Sequence, residues 1–359
     1  MKKRVLSLLM SVVMLVSLLP ATARAADQTD DISVRTPEEL QALGGQEIEG
    51  NITLTDNIDM DGVTMEPIKS LTGCFDGGSY TISNLTLKGG TGKYGSPVNT
   101  GLIGELNGSI INVKMTGVSI TENIGNWNNI GALVGKIADN SNSRIDNCVV
   151  SGAIGSSSSS SNTFIGGLVG YVTGTSALVI NNCLSNVTLT CGNSGYAGGL
   201  LGAATYFVGT ISVKNAAVLG NITSGKCGGG IVGCFNGGSP KLTVNNSYVA
   251  GTMSGNKVGA VAYCGYLSSY TVELTDFSYD STKNSDKSFQ ILPTNKSSEN
   301  SYTGSVNKLS TDALITKLTD FEVSEDFGGY PVPKWTPVDK DHGRRARIRC
   351  CACPRSGGH

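Results

Sequence analysis

Gly166-Gly167-Leu168-Val169-Gly170 returns along the chain in altered form, and its recurrence decides the fold. The copies are Thr100-Gly101-Leu102-Ile103-Gly104, Gly131-Ala132-Leu133-Val134-Gly135, Gly198-Gly199-Leu200-Leu201-Gly202, Gly229-Gly230-Ile231-Val232-Gly233 and a decayed Gly259-Ala260-Val261-Ala262-Tyr263. Their closing positions, 104, 135, 170, 202, 233 and 263, are 31, 35, 32, 31 and 30 residues apart. A period of this size marks a solenoid or array.

A second phrase follows each copy after a polar loop: Ile110-Ile111-Asn112, Ile145-Asp146-Asn147-Cys148, Ile180-Asn181-Asn182-Cys183, Val213-Lys214-Asn215-Ala216 and Val244-Asn245-Asn246-Ser247. A third apolar alternation, such as Val149-Val150-Ser151-Gly152-Ala153-Ile154, completes the unit. Three short strands and three turns therefore fill one period. Strands this short cannot bury a face alone, so successive units must stack, equivalent residues about 4.8 Å apart. The fold expected is all-β, a right-handed parallel β-helix with coils of about 31 residues. Stacking predicts an interior ladder from Leu102, Leu133, Leu168, Leu200 and Ile231. It also predicts a corner ladder from Asn112, Asn147, Asn182, Asn215 and Asn246, whose amides bond along the axis. Gly104, Gly135, Gly170, Gly202 and Gly233 supply either positive φ or room where a Cβ would collide.

With Thr72-Gly73-Cys74-Phe75-Asp76-Gly77-Gly78-Ser79-Tyr80-Thr81-Ile82-Ser83-Asn84-Leu85-Thr86-Leu87 as an opening coil, these phrases resemble the GLUG-motif repeats of bacterial surface and secreted proteins. Such repeats also occur in the non-catalytic region of IgA-cleaving metallopeptidases. The resemblance spans roughly residues 32 to 335 and implies a β-helix engaged in adhesion or in host and glycan contact. It is specific for architecture and weak for chemistry.

Residues 1–25 read as a signal peptide: Lys2-Lys3-Arg4, an apolar run over 5–19, then Ala23-Arg24-Ala25 before the cut. The run is too short and wrongly flanked for a membrane span, so the protein is expected outside the cell, secreted or at the surface, with no transmembrane segment left. Domain boundaries follow: a repeat domain over 26–337, with its repeat core at 51–280 and a closing segment at 281–337, then an anomalous tail at 338–359 expected to be disordered. Thr36-Pro37-Glu38-Glu39 predicts a capping helix over 37–43, and Ser310-Thr311-Asp312 a short helix over 311–318. Trp335 is expected to pack on the last coil. The six-serine run at 156–161 is a loop insertion.

A net charge of −1 with 15% charged residues leaves no electrostatic footprint for nucleic acid. Both histidines, His342 and His359, lie in the tail, which removes Ser-His-Asp, Cys-His and His-metal chemistry from the repeats. A zinc cluster of Cys350, Cys351, Cys353 and His359 fits no standard spacing. Between Gly101 and Tyr270 the acidic residues are Glu105, Glu122, Asp139 and Asp146, sparse material for a glycosidase pair about 5–10 Å apart. A lyase base could be drawn from Lys114, Lys136 or Arg144, though no spacing singles one out. Asp56, Asp59 and Asp61 before Gly62 admit a calcium reading, against simple Asx turns at coil corners. Of the ten cysteines, Cys148 and Cys183 share a coil position that Ala216 and Ser247 take in later coils, and Cys234 and Cys264 share another, as expected of small buried thiols. Trp127 and Tyr94, in polar loops, are candidate sugar-stacking residues, with a loop anchor as the plainer role for Trp127.

The sequence thus favours a non-catalytic binding module without cofactor, contacting a glycan or a host surface protein through loops 88–99, 121–129 and 154–163. The alternatives are a polysaccharide-degrading enzyme and a structural stalk of a larger surface protein.

Overall fold

The computed structural model describes residues 31–90, 96–122, 127–156, 162–265, 269–284, 299–318 and 320–335. All belong to one unit, Asp31–His359. The segments read as signal peptide and tail, residues 157–161 of the serine run, and Tyr94 lie outside the described residues.

Parallel sheets stack into a β-solenoid, as the repeat requires. One coil is seen in Thr163–Gly166, Val169–Gly174 and Ala177–Cys191. The first strand belongs to a six-stranded sheet, the second to an eight-stranded sheet, and the long third to the largest sheet. Register between coils is fixed residue for residue, with Asn128↔Thr163, Val134↔Val169 and Ile145↔Ile180.

The glycine phrase is a corner rather than a strand: one strand ends at Gly166 and the next begins at Val169. Leu102, Leu133, Leu168, Leu200 and Ile231 sit in this corner fully buried, and the backbone ladder continues through them, Leu168 N donating to Leu200 O at 3.0 Å. The closing glycines do not need positive φ, because none of the five adopts it. They are required for space: a Cβ on Gly170 would lie 2.4 Å from Ile130 N, and one on Gly233 would lie 2.4 Å from Gly202 O. The backbones of two sheets meet there with nothing between them.

Asparagine turns the other corner. Asn112, Asn147, Asn182, Asn215 and Asn246 all have φ between 43° and 55°, the left-handed conformation that Asn tolerates best after Gly. Asn147 Nδ2 donates to Asn112 Oδ1 at 2.9 Å, Asn182 to Asn147 at 2.8 Å and Asn246 to Asn215 at 2.9 Å. The step from Asn215 to Asn182 lacks such a bond. Asn182 Nδ2 donates instead to the Lys334 carbonyl at 2.8 Å. Asp276, opposite Asn246, prolongs the left-handed row with φ 50°.

At the first coil Pro37–Ala42 forms the capping helix, held by the reciprocal Thr36 and Glu39 capping box, and buries Leu40 in the main core. Thr311–Lys317 is the second helix. The hairpin Phe321–Ser324 with Tyr330–Pro333 then folds back along the outside of the coils. Phe321, Leu314 and Leu318 cover Leu184, Ala217, Tyr248 and Ala250 there. Trp335 consequently does not close the last coil: it reaches back to Lys114, whose Nζ stands 4.3 Å from the ring centroid. The hairpin covers the otherwise bare apolar flank, and that burial outweighs packing at the end.

Seven cysteines are described, and the six other than Cys74 are buried free thiols. Cys234 and Cys264 do not share a position as the alignment of copies implied, because a register shift pairs Phe235 with Cys264.

Candidate functional site

Where the outer faces of the six- and eight-stranded sheets meet, side chains from several coils line a groove of about 280 Å³. Its position follows from the glycine corner, which brings the sheets close enough for their outward side chains to touch. Two in-register columns flank the groove, and of their residues Asn129, Phe164, Tyr196, Tyr171 and Cys234 line it. From the six-stranded sheet come Asn99, Asn129, Phe164, Tyr196 and Cys227, each two residues before the glycine that ends or follows its strand. From the eight-stranded sheet come Glu105, Lys136, Tyr171, Ala203 and Cys234.

Aromatic rings dominate the middle. Phe164 and Tyr171 stack with centroids 5.2 Å apart, and Phe164 and Tyr196 lie 5.4 Å apart at 32°. Phe164, Tyr196, Cys227, Cys234 and Tyr263 form a hydrophobic cluster separate from the main core. Burial pushes the Tyr196 hydroxyl and the Cys227 thiol upward, the latter to about 11, so neither ionises near neutrality.

Tyr206 stands over this row and is 76% exposed. The register slips here, Thr173 facing Thr205 but Gly174 facing Phe207, so Tyr206 is the extra residue of a β-bulge. Its φ of 50° is costly for a bulky side chain. Bulges re-aim side chains beside sites, and this one lifts the ring into the groove. Gly237 below has no Cβ to obstruct it: one would lie 2.9 Å from the ring.

Polar groups complete the lining: Asn129, Asn162, Asn236, Thr205 and the Tyr171 hydroxyl, which hydrogen-bonds Thr205 Oγ1. Trp127 also lines the groove, half-buried and with φ 73°. The described shoulders of all three expected binding loops converge here, as Pro97, Trp127 and Asn162.

The other candidates lie elsewhere. Asp59 Oδ1 accepts from Asn84 Nδ2 at 2.8 Å, Ser83 Oγ at 3.2 Å and Asp61 N at 3.2 Å. These bonds, that from Asn84 foremost, hold its pKa below the usual value. Asp56 accepts from Asn57 N at 2.8 Å. Both aspartates therefore serve the turns, and no metal-binding group of three or more carboxylate, His or Cys side chains occurs among the described residues. The calcium reading of Asp56, Asp59 and Asp61 gains no support.

One carboxylate pair does form. Lys136 Nζ lies 3.7 Å from Glu105 Oε2 and 3.0 Å from Asp139 Oδ1, which brings the two acids within glycosidase range of about 10 Å beside the groove. Lys136 stands between them and ties both into ion pairs.

Sequence reasoning missed Phe164, Tyr171, Tyr196 and Tyr206. Aligning the copies on their glycines would have exposed the first three as outward columns flanking the corner. Tyr206 depends on a bulge that no spacing announces.

No described helix is long and apolar enough to cross a membrane. No family model matches the chain, and no curated protein matches it. Among solved structures it is similar to a "putative immunoglobulin A1 protease" from Bacteroides ovatus, with 19% identity over 85% of this chain and 92% of that one, at a TM-score of 0.54. That likeness is one of fold, the β-solenoid.

Proposed function

We propose that this protein is a non-catalytic glycan-binding module of a bacterial cell surface or secretion, and that the aromatic groove is its binding site. The observation that carries the reading is the row Trp127, Phe164, Tyr171, Tyr196 and Tyr206, flanked by amides and hydroxyls. A sugar ring offers the same two faces in complement: C–H groups that pack on an aromatic ring, and hydroxyls that need amide and hydroxyl partners. An interior role does not account for Tyr206, which is held exposed in a costly backbone conformation. The apolar run over 5–19 and the resemblance to GLUG repeats support export and a surface role.

A glycan and mucin array probed with the purified protein tests this, alongside assays for reducing sugars and unsaturated products. Saturable binding without product is expected, with Trp127→Ala and Tyr206→Ala each weakening it about 5–10-fold. Silence on every glycan would sink the proposal and leave the stalk reading. The Glu105 and Asp139 pair favours a second reading, a glycoside hydrolase. Turnover abolished by Glu105→Gln would establish it.

A further inference from the structure

Charge is unevenly distributed along the two sheets that meet at the groove. Towards the N-terminal coils the lysines are neutralised: Lys69 pairs with Glu47 at 2.6 Å, and Lys136 with Glu105 and Asp139. Beyond Tyr196 several are not. Residues 147–272 contain no aspartate or glutamate, yet they carry Lys214, Lys226, Lys241 and Lys257. Lys241 finds Glu273 at 3.2 Å, while Lys226 and Lys257 enter no ion pair among the described residues.

These two lysines stand over rings of the aromatic cluster on the C-terminal side of the groove. Lys226 Nζ lies 5.2 Å from the Tyr196 centroid, and Lys257 Nζ lies 5.5 Å from that of Tyr263. Register places Lys257 one coil beyond Cys227, the neighbour of Lys226. Both side chains are exposed. Two cations above an apolar wall, in a stretch without carboxylates from residue 147 to 272, form a positive field at one end of a row of rings.

Resting on the groove as a glycan site, we infer that its ligand is an acidic glycan, a sugar carboxylate seated against Lys226 and Lys257 while neighbouring sugars stack on the ring row. The aromatic row supplies contact common to all sugars, and the lysines supply discrimination. Exposed pairs of this kind are individually weak and fade with salt.

The test compares alginate, polygalacturonate and hyaluronate with their carboxyl-reduced forms, which keep the backbone and lose the charge, by titration calorimetry at low and high salt. The full-length protein is expected to bind at least one acidic polymer about 5–10-fold more tightly than its reduced form, the difference vanishing at about 1 M salt. In Lys226→Met with Lys257→Met the preference should disappear while affinity for the reduced polymer stays, since Met retains an apolar stem over each ring. Tyr206→Ala should weaken both ligands equally. Equal affinity of the native protein for both members of every pair overturns this inference and leaves the glycan site standing. Binding of no member overturns this inference, and joined to silence on the glycan array it overturns the glycan site as well. A lysine variant that loses acidic and reduced polymers alike, with its circular dichroism unchanged, overturns the assigned role of the lysines.

Discussion

At the scale of single residues, this solenoid depends on positions where the backbone does something unusual, and these allow the sharpest predictions. Asn182 combines a left-handed conformation with ladder bonds to Asn147 and Lys334. Asn182→Gly keeps the conformation and loses the bonds, which should cost about 1 kcal/mol. Asn182→Ala loses both, for about 2–3 kcal/mol in all. Denaturant titration separates the two, and equal costs would mean that conformation contributes nothing. Gly170→Ala forces a Cβ into Ile130 N and should destabilise by about 1–3 kcal/mol or more. Tyr206→Gly should act in opposite directions on two properties. Relief of its backbone strain should raise stability by about 0.5–1 kcal/mol, while glycan affinity falls. A fall in stability above about 1 kcal/mol would assign Tyr206 to the fold instead.

Among elements, the C-terminal hairpin is the one whose role the sequence obscured. Its residues alternate poorly and its partners lie far back in the chain, so only the bare flank formed by Leu184, Ala217 and Tyr248 explains its place. Tyr248 donates to the Pro331 carbonyl and Tyr330 to Asp280 Oδ2 at 2.8 Å. Phe321→Ala should undock this element by itself. Hydrogen exchange in residues 321–333 is expected to accelerate while amides of the coils keep their protection. Equal acceleration throughout would make the hairpin part of the cooperative core. By contrast the capping helix was legible, because Thr36, Pro37 and Glu39 are local signals that act within one turn. The long third strand was legible only in pieces, since its bend at each asparagine looks like a strand end.

For the whole molecule, the repeat period and the column of leucines made the architecture readable, because one unit's chemistry recurs and each copy confirms the last. The groove was less so: it arises from the angle between two sheets, which no single copy encodes. Trp127 was found as an odd residue in a loop, whereas its partners read as ordinary strand residues. Burial of thiols along the core gives a global prediction. Burial raises Cys191 and Cys264 to about 12, above the unfolded value of about 8.5. The native state therefore holds these protons longer, and stability should decline as pH rises from about 8.5 towards 12. Denaturation midpoints across that range should fall, and Cys264→Ala should flatten the slope. An unchanged slope in that variant would trace the decline to other groups, the buried tyrosines first. The returning hairpin has, finally, a mechanical consequence. A pull applied at Trp335 meets its bonds to Tyr248 and Asn182 one after another, before it reaches any coil. Peeling back to Leu309 would release roughly 90 Å of slack while the solenoid stays wound. Such a chain would yield like a coiled leash, absorbing a jerk without disturbing the groove.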